Sequence, residues 1–327
     1  MLVKSCGNLV GDITMKKQAL SACIAALALC ISGAAGAAKP LKAIGVAVSD
    51  LANPFFVAIG KGATDAARKI GGNGVRVTTV SAKYDLNTQV GQIENFIASK
   101  VDIIIVNASD PKGIAPVLKK ARDAGIVVMA VDVGAENADA TIMSDNTMAG
   151  VESCKVIAER LGGKGNVVIV NGPPVTAVIA RVAGCKQALA GSGIRILSEN
   201  QDAKGSLDGG MEVMTNLLTA HRKINAVFAI NDPSAIGAEL AIKQSGRSDV
   251  VMVASVDGAP DAEAALKAKN SIFTVTAAQN PYKMASMAVE IGYDIMNGKR
   301  PENPTVLIPT PAITKDNVAA YQGWTSH

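Results

Sequence analysis

Aromatic side chains are scarce in this chain: five Phe, four Tyr and one Trp make up 3% of 327 residues. Histidine is scarcer, with only His221 and His327, too few and too scattered for a metal site or a nucleophile–base triad. Charged residues reach only 18%, with a formal net charge of +4 and no Lys/Arg cluster, which removes the electrostatic footprint of a nucleic-acid binder. Long apolar runs are missing as well: the stretch from Ala19 to Ile31 is too short for a comfortable membrane span. What is present is a chain 49% hydrophobic, too apolar for disorder and long enough for two ordinary domains. Against this background two of the five phenylalanines stand side by side in Ala52-Asn53-Pro54-Phe55-Phe56.

The N-terminus has the layout of a secretory signal peptide. Met15-Lys16-Lys17 opens a basic region, the apolar stretch follows, and Ala35-Gly36-Ala37 suits cleavage after Ala37, with Ala38 a near alternative. Residues 1–14 read as an upstream start or a long basic region, so Met15 is the expected proper start. Leu20-Ser21-Ala22-Cys23 resembles a lipidation box, but the apolar core lies after the cysteine instead of before it. Removing residues 1–37 takes Lys4, Lys16, Lys17 and Asp12, leaving 29 basic against 27 acidic side chains, or +2. Three of five cysteines leave too. Cys154 and Cys185 remain on expected helices flanking one strand, either paired, as an oxidising compartment permits, or as two buried thiols.

Beyond the leader, short β-branched runs alternate with amphipathic stretches. Strands are expected at 43–48, 75–80, 103–106, 127–131, 141–143, 166–170, 194–198, 226–230, 250–256 and 274–278, with helical patterns between most of them. Continuous apolar runs such as Ile103-Ile104-Ile105-Val106 read as parallel strands covered on both faces. The alternation predicts an α/β fold with doubly wound parallel sheets, and ten strands divide more readily into two sheets than one. At 132–147 the alternation breaks, which puts a domain crossover near Ser144-Asp145-Asn146. The tail Val306-Leu307-Ile308-Pro309-Thr310-Pro311 reads as an extended, proline-stiffened passage between domains.

Ligands of open α/β sheets gather outside the carboxyl ends of the strands. Those ends carry Asn53, Phe55, Phe56, Asn107, Asp132, Asn231, Asp257 and Gln279, with Arg181 near the start of a following helix. Amides, carboxylates and a guanidinium present paired donors or acceptors to neighbouring hydroxyls, and aromatic faces cover the apolar faces of a sugar ring. Taken singly, each also fits an ordinary duty: Asp145 and Asp232 as helix caps, Pro54 as a helix start, Phe55 as core, Arg181 as surface. Their recurrence at successive strand ends favours a polyhydroxylated ligand held between two lobes. None is a nucleophile with a base beside it, so no enzyme is expected.

These motifs, Asn53-Pro54-Phe55-Phe56, Val106-Asn107-Ala108-Ser109-Asp110, Val131-Asp132, Ser144-Asp145-Asn146, Asn231-Asp232-Pro233, Val256-Asp257-Gly258 and Gln279, occur in an order that resembles the ribose-binding type of periplasmic sugar-binding proteins of ABC importers. The periplasmic binding protein type I fold is shared with LacI-type repressors. The resemblance implies two Rossmann-like lobes joined by a three-segment hinge, crossing near 143–146, 277–281 and 308–311. The lobes would comprise 38–144 plus 280–308, and 145–279 plus 309–327. It also implies sugar contacts at Asn53, Phe55, Phe56, Asn107, Asp132, Arg181, Asn231, Asp257 and Gln279, with the phenylalanines sandwiching the ring and Asp132 and Arg181 gripping hydroxyls from opposite lobes. Relatives often carry both cysteines, which implies a Cys154–Cys185 disulfide. Two positions depart from the ribose pattern: Val133 stands where an arginine follows the acid, and Ala203-Lys204-Gly205-Ser206 lacks an aromatic.

The expected function is a periplasmic, monomeric solute receptor, exported by a cleaved leader. It would capture a monosaccharide or similar polyol, pentoses ahead of hexoses, and deliver it to an inner-membrane permease without any cofactor or metal. A repressor would need a basic DNA-binding segment where the leader stands. The remaining alternative is a receptor presenting a sugar or autoinducer to a chemotaxis or kinase sensor.

Overall fold

The computed structural model describes residues 38–324; the expected leader and its cleavage after Ala37 lie outside the described residues. Among the described residues, twelve strands form two six-stranded sheets. The first sheet contains β1 (Ala43–Val48), β2 (Arg76–Ser81), β3 (Ile103–Val106), β4 (Val127–Val131), β5 (Ala140–Ser144) and β11 (Thr305–Ile308), in the order β11-β5-β4-β3-β1-β2, all parallel. The second contains β6 (Lys164–Val170), β7 (Gly193–Ser198), β8 (Ala226–Ala229), β9 (Met252–Asp257), β10 (Phe273–Ala278) and β12 (Ala312–Thr314), in the order β12-β10-β9-β8-β6-β7. Only β12 runs antiparallel, against β10.

Period-two alternation explains why the central strands are apolar throughout. In β3, Ile103 and Ile105 enter one core with α1 (Pro54–Gly71) and α9 (Pro281–Met296). Ile104 and Val106 enter the opposite core with α2 (Leu86–Ala98) and α3 (Ala115–Asp123). The second sheet repeats the device. Val227 and Ala229 of β8 pack with α6 (Leu207–Ala220) and α7 (Asp232–Ser245), while Ala226 and Phe228 pack with α4 (Asn146–Arg160) and α5 (Thr176–Leu189). A remaining helix, α8 (Pro260–Lys267), follows β9.

Three passages join the sheets: β5 leads into α4, β10 leads into α9, and β11 leads through Pro309-Thr310-Pro311 to β12. Two elements differ from expectation. The segment at 305–308 is a strand of the first sheet as well as a connector, and 312–314 adds an edge strand to the second. Cys154 on α4 and Cys185 on α5 form a disulfide, with their Cα atoms 5.0 Å apart. Among the described residues no helix is long and apolar enough to cross a membrane.

Candidate functional site

In each sheet the strand order reverses beside the first strand of that sheet, and the polar loops gather at the carboxyl ends there. In the first lobe Asn53 caps α1, its side chain accepting from Phe55 N at 2.9 Å, and Pro54 occupies the first turn where its missing N–H costs nothing. The cap sets the angle at which Phe55 and Phe56 leave the helix. Their ring centroids lie 5.4 Å apart at 84°, edge against face. The row extends in both directions, to Tyr84 beyond Phe56 (6.4 Å) and to Trp324 beyond Phe55 (5.3 Å). The two rings therefore pack on each other, the edge of one on the face of the other.

Asn107 is buried after β3. Its Oδ1 accepts from Ser49 Oγ, and its Nδ2 donates to Asp132 Oδ2 at 3.0 Å and Val131 O at 3.3 Å. Gln89, fully buried on α2, fastens this loop by donating to Asn107 O and accepting from Ser109 N. Asp132 has φ +65°, the left-handed region that aspartate enters more readily than most residues.

In the second lobe Arg181 lies in the second turn of α5 and is 6% exposed, which overturns a surface position. Its Nε donates to Asn146 Oδ1 at 2.9 Å, and its Nη1 to Ile230 O at 2.9 Å and Asp257 Oδ1 at 3.2 Å. Asp257 Oδ1 also accepts from Gln279 Nε2 at 2.8 Å, and Gln279 Oε1 accepts from Ser144 Oγ at 2.8 Å. An unbroken chain of hydrogen bonds thus runs from the end of β5, through the β10–α9 passage, to the guanidinium. Asn231 caps α7, accepting from Ser234 N at 3.2 Å, while its Nδ2 donates to Gly205 O at 2.9 Å.

Asp232 corrects an expectation. It is not a cap but the first residue of α7, 1% exposed, accepting from Ser255 Oγ, from Thr276 Oγ1 at 2.8 Å and from Ala259 N at 2.7 Å. It thereby ties together the ends of β9 and β10 beneath Asp257. Burial, then the charge of Asp257, pushes its carboxyl up to about 8. Asp145 does cap α4, accepting from Met148 N.

Electrostatics join the two lobes. Burial pushes the Asp132 carboxyl up to about 6; the Arg181 cation opposes this, the Asp257 carboxylate adds to it, and the bond from Asn107 opposes it. Asp257 is likewise raised, by burial, with Arg181 opposing. The charges of Arg181 and Asp257 in the second lobe thus act on Asp132 in the first. Among the described residues no group of three or more His, Cys, Asp or Glu could hold a metal ion.

Hydrogen bonds join Arg181, Asp257 and Gln279, and Asn107 to Asp132, whose carboxyl feels the charges of Arg181 and Asp257; Phe55 reaches this group through Trp324, which donates to Asp257 O. Asn53 and Asn231 serve as caps at the rim. Sequence reasoning passed over Gln89, Asn146, Tyr84 and Trp324. Asn146 stood in a quoted motif and could have been found as a helix-start amide; the other three lie far along the chain from the groups they support.

The model of the periplasmic binding protein domain matches residues 44–300. The ribose import binding protein RbsB of Bacillus subtilis is 33% identical over 259 residues, covering 79% of this chain and 82% of that protein. A xylitol-binding protein of Mycolicibacterium smegmatis is 32% identical over 315 residues, covering 94% and 88%. Among solved structures, an ABC transporter periplasmic solute binding protein of Actinobacillus succinogenes with bound D-allose superimposes with a TM-score of 0.78 at 30% identity, covering 86% of this chain and 100% of that one. These relatives are binding proteins of sugars and polyols, not enzymes. The two parallel-sheet lobes and the match along most of the chain lead to one conclusion: this chain belongs to the periplasmic binding protein family.

Proposed function

We propose that this protein is a periplasmic receptor that closes on a monosaccharide or related polyol and hands it to the inner-membrane permease of an ABC importer. The observation that carries this reading is the convergence of Asp132 from one lobe with Arg181 and Asp257 from the other, beside an aromatic wall. Carboxylate and guanidinium groups offer paired, charge-assisted hydrogen bonds to vicinal hydroxyls, and the wall covers the C–H face of a ring. Arg181 uses Nε and Nη1 in the bonds that hold it, so its planar head is fixed before ligand arrives. Asn107 acts mainly by orienting Asp132, and Gln279 by orienting Asp257.

Capture follows from a shift toward the closed population, since only that form presents both lobes to the ligand at once. Val133 withholds a second guanidinium from the first lobe, and Lys204-Gly205 withholds a second ring wall, so the ligand differs in shape from ribose; pentoses and pentitols rank ahead of hexoses. The reading also includes a leader over residues 1–37, cleaved on export, and a monomeric mature chain.

A thermal-shift screen with D-ribose, xylitol, D-allose and other pentoses, hexoses and polyols tests this. A cognate sugar at a hundred times its Kd should stabilise the protein by about 2.7 kcal/mol. If no member of the panel raises Tm at millimolar concentration, the proposal fails.

A further inference from the structure

The C-terminal tail does more than finish the second sheet. After β12 it turns through a short 3-10 segment (Val318–Ala320) and runs beneath the Asp257-Gly258 turn. There two aromatic side chains donate to consecutive carbonyls: Trp324 Nε1 to Asp257 O, and Tyr321 OH to Gly258 O, each at 2.8 Å. Both carbonyls belong to residues at positive φ, +139° for Asp257 and +71° for Gly258. Such a conformation is costly for aspartate and persists only where surroundings hold it. Burial, with the charges of Asp232, Glu263 and Asp257, raises the Tyr321 pKa, so its hydroxyl stays a donor.

Trp324 also reaches the other lobe. Its ring is buried in the first lobe's core cluster, edge to face with Phe55 at 5.3 Å and 85°, and Ala259 of the second lobe packs against that same cluster. One side chain thus touches the aromatic wall on one side of the cleft and the backbone of a cleft acid on the other. These two contacts coexist only while the lobes are together.

Resting on the sugar-capture reading above, we propose that Trp324 is a positioning residue that latches the closed form, coupling Phe55 to Asp257, with Tyr321 bracing the same turn. The latch biases the open–closed equilibrium toward closure and slows ligand release, without itself supplying a sugar contact.

The test compares wild type with Trp324→Ala, Trp324→Phe and Tyr321→Phe. In ligand-free protein, small-angle scattering should give Trp324→Ala a larger radius of gyration than wild type. Trp324→Phe, which keeps the ring but loses the N–H, should lie between them. With the sugar giving the largest thermal shift, stopped-flow should show release from Trp324→Ala about tenfold faster, association little changed, and partial recovery in Trp324→Phe; one buried hydrogen bond with its packing is of that size. Tyr321→Phe should speed release by a smaller factor. Identical ligand-free scattering for wild type and Trp324→Ala overturns the latch, as does an unchanged release rate. The scattering arm decides the matter even if wild type binds no sugar, an outcome that would sink the capture reading instead.

Discussion

Asp132 carries opposite demands. In the proposed sugar grip its carboxylate binds hydroxyls most strongly when ionised, yet burial holds its pKa up at about 6, with Arg181 the main opposing influence. Binding should therefore weaken as pH falls through 6, and a calorimetric titration at pH 5 and 7.5 would read the change. Stability runs the other way. A carboxyl whose folded pKa exceeds its unfolded value, about 4, binds more protons folded than unfolded; its contribution is complete below pH 4 and lost as pH rises through 6. Asp132→Asn should accordingly make the ligand-free protein more stable than wild type at pH 7.5 while lowering sugar affinity at least tenfold, with the stability gap closing near pH 4. A variant less stable at pH 7.5 would show that the ionised form is needed for the fold. At this scale the sequence exposed the residue types but not their wiring. Asp132 and Asp257 were legible because each stands at the end of a recognisable strand, and Arg181 because it lies early in the helix after one. Gln89 and Trp324 were not, since their partners at Asn107 and Asp257 lie 18 and 67 positions away and no local pattern reports such contacts.

Among the elements, the pairing of α4 with α5 governs where Arg181 sits. Gly150 lies against the Arg181 carbonyl and Gly184 against that of Thr147, each so closely that a methyl group would strike backbone. The Cys154–Cys185 bond then fastens the same two helices, one turn beyond Gly150 and at the residue next to Gly184. Gly150→Ala should push the helices apart, lowering Tm and displacing the guanidinium, so sugar affinity falls further than the loss of global stability alone would explain. Replacing both cysteines with serine should cost about 2–4 kcal/mol, the range for a closed loop of this length, read by urea unfolding. Should reduction leave the urea midpoint unchanged, the bond contributes nothing measurable. Helices and inner strands were legible from their periodicity, often to within two residues. β11 was read only as a connector because it is short, half its residues face solvent, and prolines flank it at 304 and 309. β12 has three residues, too few for any period to show.

For the whole molecule, the two halves are built from the chain in different ways. Each sheet takes five consecutive strands and one late sixth, β11 in the first and β12 in the second, but the first alone also waits for a distant helix. The helix α9 arrives equally late, and its Met284, Ala285, Ala288 and Val289 cover the face bearing Ile103, Met129 and Ile142. A chain ending after Ala278 should thus keep amide protection in β6, β8 and β9 while β1, β3 and β4 exchange freely; equal protection in both groups would contradict this. Manufacture from the amino end consequently assembles the middle of the polypeptide first. The earliest-made third waits, one flank bare, until its missing helix and border strand follow β10 from the ribosome, which makes that third the portion most in need of sheltering from aggregation.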